Sequence, residues 1–235
     1  MNNRDVIIAC DFPDKETTLD FLNQFTERKP FVKIGMELFY AEGPDIVREI
    51  KDRGHKIFLD LKLHDIPNTV EKAMMRLACL VVDMTNVHAA GGRRMMEAAR
   101  NGLIAGGHGD PVLIAVTQLT STSKEMMNNE LRIQGAIQDT VISYAENARF
   151  AGLDGVVCSP MESELIHEKV GREFLTVTPG IRFADSKKDD QTRVTTPTRA
   201  AELGSDYIVV GRPITKADDP VEMYKRCLRD FGGIE

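Results

Sequence analysis

Eight short apolar runs recur along the chain, at residues 6–12, 31–36, 56–62, 82–88, 112–119, 155–159, 174–181 and 207–211. Most are nearly continuous in apolar residues, the pattern of parallel strands covered on both faces. Amphipathic stretches at 15–25, 44–53, 70–79, 93–101, 140–151, 161–169 and 198–203 separate most of them and predict helices. Gly54, Gly102 and Gly204 follow three of these stretches and read as helix stops. Repeated strand–helix units predict an α/β fold, a (β/α)8 TIM barrel, as a single domain over residues 1–235. The competing architecture is a doubly wound open sheet, which gathers its ligand at one switch point. Here polar residues end many strands, which favours the barrel. Segments 120–129 and 182–191 are long and polar and read as loops. The second suits a lid or a tolerant surface excursion equally well.

The third apolar run carries the densest chemistry. Strand alternation places Phe58, Asp60 and Lys62 on one face, and Ile57, Leu59, Leu61 and Leu63 on the other. Asp65 follows, where the chain turns before Pro67. Charges on an inward strand face are costly unless paired, so an inward Asp-x-Lys calls for a reason. Barrel enzymes build their sites at the C-terminal ends of the strands. That rule collects Asp11, Lys33, Asp60, Lys62, Asp65, Asn86, His88, Gln118, Thr120, Thr122, Pro179, Arg182, Gly211 and Arg212. Lys33, Asp60, Lys62 and Asp65 sum to zero charge and suit an alternating network. For any one pair a structural ion-pair network is the better reading; four such charges with Asp11 favour catalysis. Gly211-Arg212 after the eighth strand suits phosphate, since glycine admits close backbone approach and arginine grips bidentately. Arg182 and Gln191, from the preceding loop, can close over the same group.

Composition narrows the rest. The net charge of −6 does not advertise nucleic-acid binding. No apolar run approaches a membrane span, and the start lacks a signal-peptide pattern. Four scattered cysteines with no C-x-x-C pair fit a reducing cytoplasm and argue against a zinc site. Lys62 among Asp60, Asp65 and His88 argues against a bound metal.

The segment Asp60-Leu61-Lys62-Leu63-His64-Asp65-Ile66-Pro67-Asn68-Thr69 resembles the D-x-K-x-x-D-I-x-x-T signature of the orotidine 5'-phosphate decarboxylase family, in its shorter bacterial branch. The stretches ending in Asp11, around Lys33, from Asn86 to Gly92, from Thr117 to Thr122, from Thr178 to Arg182 and from Val210 to Ile214 resemble the family's other strand ends. The resemblance implies a cofactor-free, metal-free homodimer that converts orotidine 5'-phosphate to UMP and CO2. It implies catalysis by Lys62, Asp60, Lys33 and Asp65, with Asp65, Ile66 and Thr69 reaching the partner subunit's site. Substrate binding would fall to Asp11, Lys33, Asp60, Ile66, Thr69, Thr122, Pro179, Arg182, Gln191, Gly211 and Arg212. The alternatives are a Mg²⁺-dependent sugar-phosphate decarboxylase or aldolase on a related barrel, and a non-catalytic nucleotide-binding barrel.

Overall fold

The computed structural model describes residues 4–183 and 195–232. Eight parallel strands close into a barrel in sequence order: β1 (Asp5–Ala9), β2 (Phe31–Gly35), β3 (Ile57–Leu63), β4 (Met84–His88), β5 (Val112–Val116), β6 (Gly155–Val157), β7 (Leu175–Thr178) and β8 (Tyr207–Val210). The helices around them are α1 (Lys15–Asn23), α2 (Met36–Glu42), α3 (Pro44–Asp52), α4 (Pro67–Ala78), α5 (Arg93–Gly106), α6 (Lys124–Asn129), α7 (Ile137–Phe150), α8 (Ser163–Val170), α9 (Pro197–Glu202), α10 (Arg212–Thr215) and α11 (Pro220–Phe231). This is the single-domain (β/α)8 barrel that the alternation predicts.

The alternation of side chains sorts the apolar residues into two cores. Val6, Ile8, Val32, Ile34, Ile57 and Leu59 face outward and pack with the helices in one large cluster. Ile7, Ala9, Phe31, Phe58, Met84, Ile114, Val177 and Val209 fill the barrel interior. Two residues beyond several of these interior residues, the same face carries site candidates. Lys33 follows Phe31, Asp60 follows Phe58, Asn86 follows Met84, and Asp11 follows Ala9. The inward columns thus change from apolar to charged at the C-terminal mouth, which is how a packed barrel presents a polar site.

Local signals account for most helix starts. Asp14 Oδ1 accepts from the Thr17 N–H at 2.8 Å and caps α1. Pro44, Pro67, Pro197 and Pro220 occupy first-turn positions of α3, α4, α9 and α11, where the missing N–H costs nothing. The helix expected at 70–79 therefore begins at Pro67, directly after the expected turn, and has Thr69 in its first turn.

Other boundaries also differ from expectation. A helix, α2, follows β2 directly, with Gly35 as its N-cap. The polar segment 120–129 contains α6, capped by Ser123 accepting from the Met126 N–H. The α11 helix lies beyond the last predicted element and closes the ring through buried Tyr224, Cys227, Leu228 and Phe231. Gly102 does not stop α5, which runs on to Gly106. A Cβ at Gly102 would lie 2.2 Å from Glu71 O and 2.9 Å from Met74 Cβ, and one at Gly106 would lie 2.4 Å from Ala78 Cβ. Both glycines mark the close crossing of α5 on α4 rather than a cap.

That crossing sets two effects against each other. G102A gains helix propensity of about 1 kcal/mol. Against it stands overpacking of about 1–3 kcal/mol, concentrated on a backbone carbonyl that cannot swing away. We expect the overpacking to win, so urea denaturation should show a net loss of stability. A G102A protein as stable as the parent would contradict the close crossing.

Candidate active site

The charged residues at the barrel mouth form one alternating chain. Lys33 Nζ lies 2.8 Å from Asp11 Oδ1 and 3.5 Å from Asp60 Oδ2. Asp60 Oδ1 accepts from Lys62 Nζ at 2.7 Å and from Asn86 Nδ2 at 2.7 Å. The Asp60 and Lys33 side chains are about nine-tenths buried, at 10% and 11% exposure. Asp11, at the outer end, is 54% exposed. A Cβ at Gly35 would stand 3.0 Å from Lys33 Nζ and 3.1 Å from Asp11 Oδ1, so glycine there leaves room for the ion pair.

Pairing decides the charge states. Burial alone would push the Lys33 ammonium down, but the Asp60 and Asp11 carboxylates more than reverse this and hold it above its ordinary value. Burial alone would raise Asp60; Lys33, Lys62 and the bonds from Lys62 and Asn86 hold it below the usual carboxylate range. Both stay ionised at neutral pH. Burial, with His64 and Lys62 nearby, pushes the His88 imidazolium down.

Strand β3 is irregular at Lys62. Leu59 pairs with Thr85 and Leu63 with Val87, so four steps along β3 match two along β4. Simple alternation therefore fails past Asp60. Lys62 takes up the slack with φ 52°, a left-handed conformation that costs a non-glycine residue about 1–3 kcal/mol. Its backbone N–H donates to Asn86 Oδ1 at 2.8 Å.

Two connected cavities open beside this chain. One, of about 320 Å³, is lined by Lys33, Asp60, Lys62, Gln118, Thr120, Ser121 and Pro179 among others. The second, of about 660 Å³, has Asp11, Lys33, Pro179, Arg182, Gly211, Arg212 and Lys216 in its wall. Lys33, Pro179 and Val209 line both, so the two are halves of one cleft, with Lys62 in the wall of one half, Arg182, Arg212 and Lys216 in the other, and Lys33 shared between them. A larger cavity of about 720 Å³ lies elsewhere, against α11, and none of the predicted site residues lines it.

The structure brings together Asp11, Lys33, Asp60, Lys62, Pro179, Arg182, Gly211 and Arg212. Thr122 is buried and lines neither cavity; its N–H donates to Leu119 O, while Thr120 and Ser121 form the wall. Asp65, Ile66 and Thr69 lie exposed, with Asp65 Oδ1 accepting from the Ile66 N–H at 2.6 Å. Gln191 lies outside the described residues, as does most of segment 182–191. Among the described residues, no group of three or more His, Cys, Asp and Glu side chains is placed to hold a metal ion.

Residues 4–227 match the family model described as Orotidine 5'-phosphate decarboxylase / HUMPS family. The chain belongs to that family. It is 55% identical over 235 residues to an orotidine 5'-phosphate decarboxylase of Bacillus mycoides (strain KBAB4), covering 99% of each chain. The crystal structure of orotidine 5'-phosphate decarboxylase from Lactobacillus acidophilus is similar at 45% identity and a TM-score of 0.88, over 98% of this chain and 100% of that one. An uncharacterized conserved protein from Geobacillus kaustophilus is similar at 50% identity and a TM-score of 0.86, over 96% and 99% of the two chains.

Within this family member, sequence reasoning gave no role to Asn86 and did not single out Ser121 or Lys216. Asn86 carried a readable signal, an amide on an inward strand face where its neighbours in the column are apolar. Ser121 and Lys216 carried none, since loop polarity does not say which side chain turns inward.

Removing the shared carboxylate should expose the energetics of the chain. D60N takes the Asp60 counterion from Lys62 and leaves Lys33 with Asp11 alone, and should cost about 3–5 kcal/mol at neutral pH. In D60N the buried Lys33 ammonium keeps Asp11 but loses the Asp60 charge that helps to raise it, so its folded-state pKa lies below the parent's. In the parent, Lys33 is raised: its contribution is full below the unfolded pKa and is lost as pH climbs through the folded one. The gap between D60N and parent should therefore be full while both proteins hold Lys33 charged and narrow in urea titrations as the pH climbs into the alkaline range, where D60N releases that proton first. A constant gap would mean that Lys33 does not depend on Asp60.

Proposed function

We propose that this protein is an orotidine 5'-phosphate decarboxylase, forming UMP and CO2 in the last step of de novo pyrimidine synthesis. The observation that carries the reading is the Asp11–Lys33–Asp60–Lys62 chain, set in a cleft whose other end holds Arg182, Gly211 and Arg212. Its charges suit a pyrimidine carboxylate at one end and a phosphate at the other.

In the reaction, the bond between C6 of the base and its carboxylate carbon breaks and its electron pair stays on C6. Lys62 Nζ, aimed from the rigid barrel, stabilises that pair and donates a proton to C6; the amine regains its proton from solvent. Asp60 and Lys33 hold Lys62 in place and, with Asp11, bind the ribose. The loop around Thr122 faces the base, and Pro179 lies between the two halves of the cleft. Arg182, Gly211 and Arg212, with Gln191, hold the phosphate. Binding energy gathered there, remote from C6, can be used in closing the cleft over the reacting atoms.

The reading makes the protein a homodimer in which Asp65, Ile66 and Thr69 complete the neighbouring site. Their exposure supports this, most clearly the 65% exposure of Ile66, an apolar side chain at the start of α4. Asp65 of the partner subunit would face the substrate carboxylate. Two like charges at about 4 Å repel by about 4 kcal/mol at an effective dielectric of 20. That is small beside the barrier reduction of a proficient enzyme, so stabilisation at Lys62 carries most of the rate. Among the described residues no helix is long and apolar enough to cross a membrane, and the four cysteines are free, which fits a place in the cytoplasm.

K62A should abolish turnover of orotidine 5'-phosphate and still bind UMP; substantial residual turnover would remove Lys62 from its role. Mixed K62A and D65A subunits should regain activity through hybrid dimers with one intact site. Heterodimers that form without recovery would refute the shared site. R212A should raise the KM for the phosphorylated substrate far more than it affects the phosphate-free nucleoside, and an equal loss on both would remove Arg212 from the phosphate site.

A further inference from the structure

We infer that Asn86 is a positioning residue for Lys62, fixing the backbone and the counterion of that lysine through one side-chain amide. Three observations meet at it. The ladder between β3 and β4 is broken between Leu59 and Leu63, so the regular β4 carbonyls no longer serve the backbone there. Asn86 Oδ1 accepts from the Lys62 N–H at 2.8 Å, supplying the partner that the ladder lacks. Asn86 Nδ2 donates at 2.7 Å to Asp60 Oδ1, the same oxygen that accepts from Lys62 Nζ.

The amide is suited to this by having a donor and an acceptor on one planar group. Leucine matches its size and offers neither; aspartate matches its shape and, when ionised, offers only acceptors. Asn86 is fully buried, so water cannot replace either bond. Lys62 sits at φ 52°, a conformation that persists only where its surroundings enforce it. Without the Asn86 bond, the backbone at Lys62 can relax towards a regular strand and swing Nζ away from Asp60. A displacement on the order of 1 Å costs on the order of 100-fold in a reaction that depends on alignment.

The inference rests on the decarboxylase reading for its kinetic consequence, but the backbone bond itself can be read without activity. Amide exchange at Lys62, followed by NMR, should be slow in the parent and much faster in N86L. This result decides the structural half even for a protein that decarboxylates nothing, an outcome that would sink the proposed function alone.

The kinetic half uses N86D. At pH 8 its kcat should fall on the order of 10–100-fold with little change in KM. As the pH falls, the introduced carboxyl group takes a proton and regains the donor–acceptor pattern of the amide. Its deficit relative to the parent should then shrink severalfold by about pH 5.5, since burial beside Asp60 raises its pKa. The other charged or titratable groups near it are Asp60 and Lys62 on β3, Lys33 on β2, His88 two residues along β4, and His64 beside His88. The β5 partner opposite is Ile114. Those groups are present in the parent too, so the ratio of variant to parent isolates the introduced carboxyl. N86L should show the same loss with no recovery. If N86L fails to fold, the N86D ratio still decides. A ratio independent of pH, or an N86L kcat within about twofold of the parent, would overturn the inference.

Discussion

Asp60 is the carboxylate on which the barrel mouth depends. It lies almost out of water, and it serves Lys33, Lys62 and Asn86 at once. Burial alone would push the Asp60 carboxyl towards its protonated form and the Lys33 ammonium towards its neutral one. Held together, the groups keep each other charged. Asp11 extends the alternation to the solvent edge and balances the second cation. The result is a fixed electrostatic field in a packed scaffold, present before any substrate arrives, as stabilisation of a developing carbanion requires.

The fold serves this network in two ways. The parallel barrel sends successive inward columns from apolar to polar at the same level, so side chains distant in sequence converge without long loops. It then departs from regularity at one place. The irregular pairing of β3 with β4 and the left-handed backbone at Lys62 turn the lysine to the cleft while Asp60 stays in the strand column. Local strain at a residue lining a cleft, held by surrounding bonds, is a common arrangement at active sites.

Much of this was legible in the sequence because two periods carry it. Continuous apolar runs marked all eight strands, and polar strand ends marked Lys33, Asp60, Gly211 and Arg212. The misses share a physical cause. Gly102 looked like a helix stop because the sequence does not reveal the neighbouring helix whose backbone requires glycine there. The α4 helix begins at Pro67, three residues before the stretch its apolar pattern marks, since a proline that breaks a helix interior also begins one. Thr122 was grouped with the cleft, but loop geometry turned it inward and left Thr120 and Ser121 at the wall. The β3 irregularity depends on register against β4, a pairing no single strand can announce. Asp65, Ile66 and Thr69 stand exposed in one chain, and only the family resemblance gave that exposure a reason.

The central claim is that the protein's own fixed charges, without a metal, carry decarboxylation. The most direct measurement is the loss of orotidine 5'-phosphate absorbance with the purified protein after exhaustive treatment with EDTA. The account predicts full turnover to UMP in EDTA, unchanged by added Mg²⁺. No turnover of this substrate, or turnover that appears only when Mg²⁺ is restored, would contradict it.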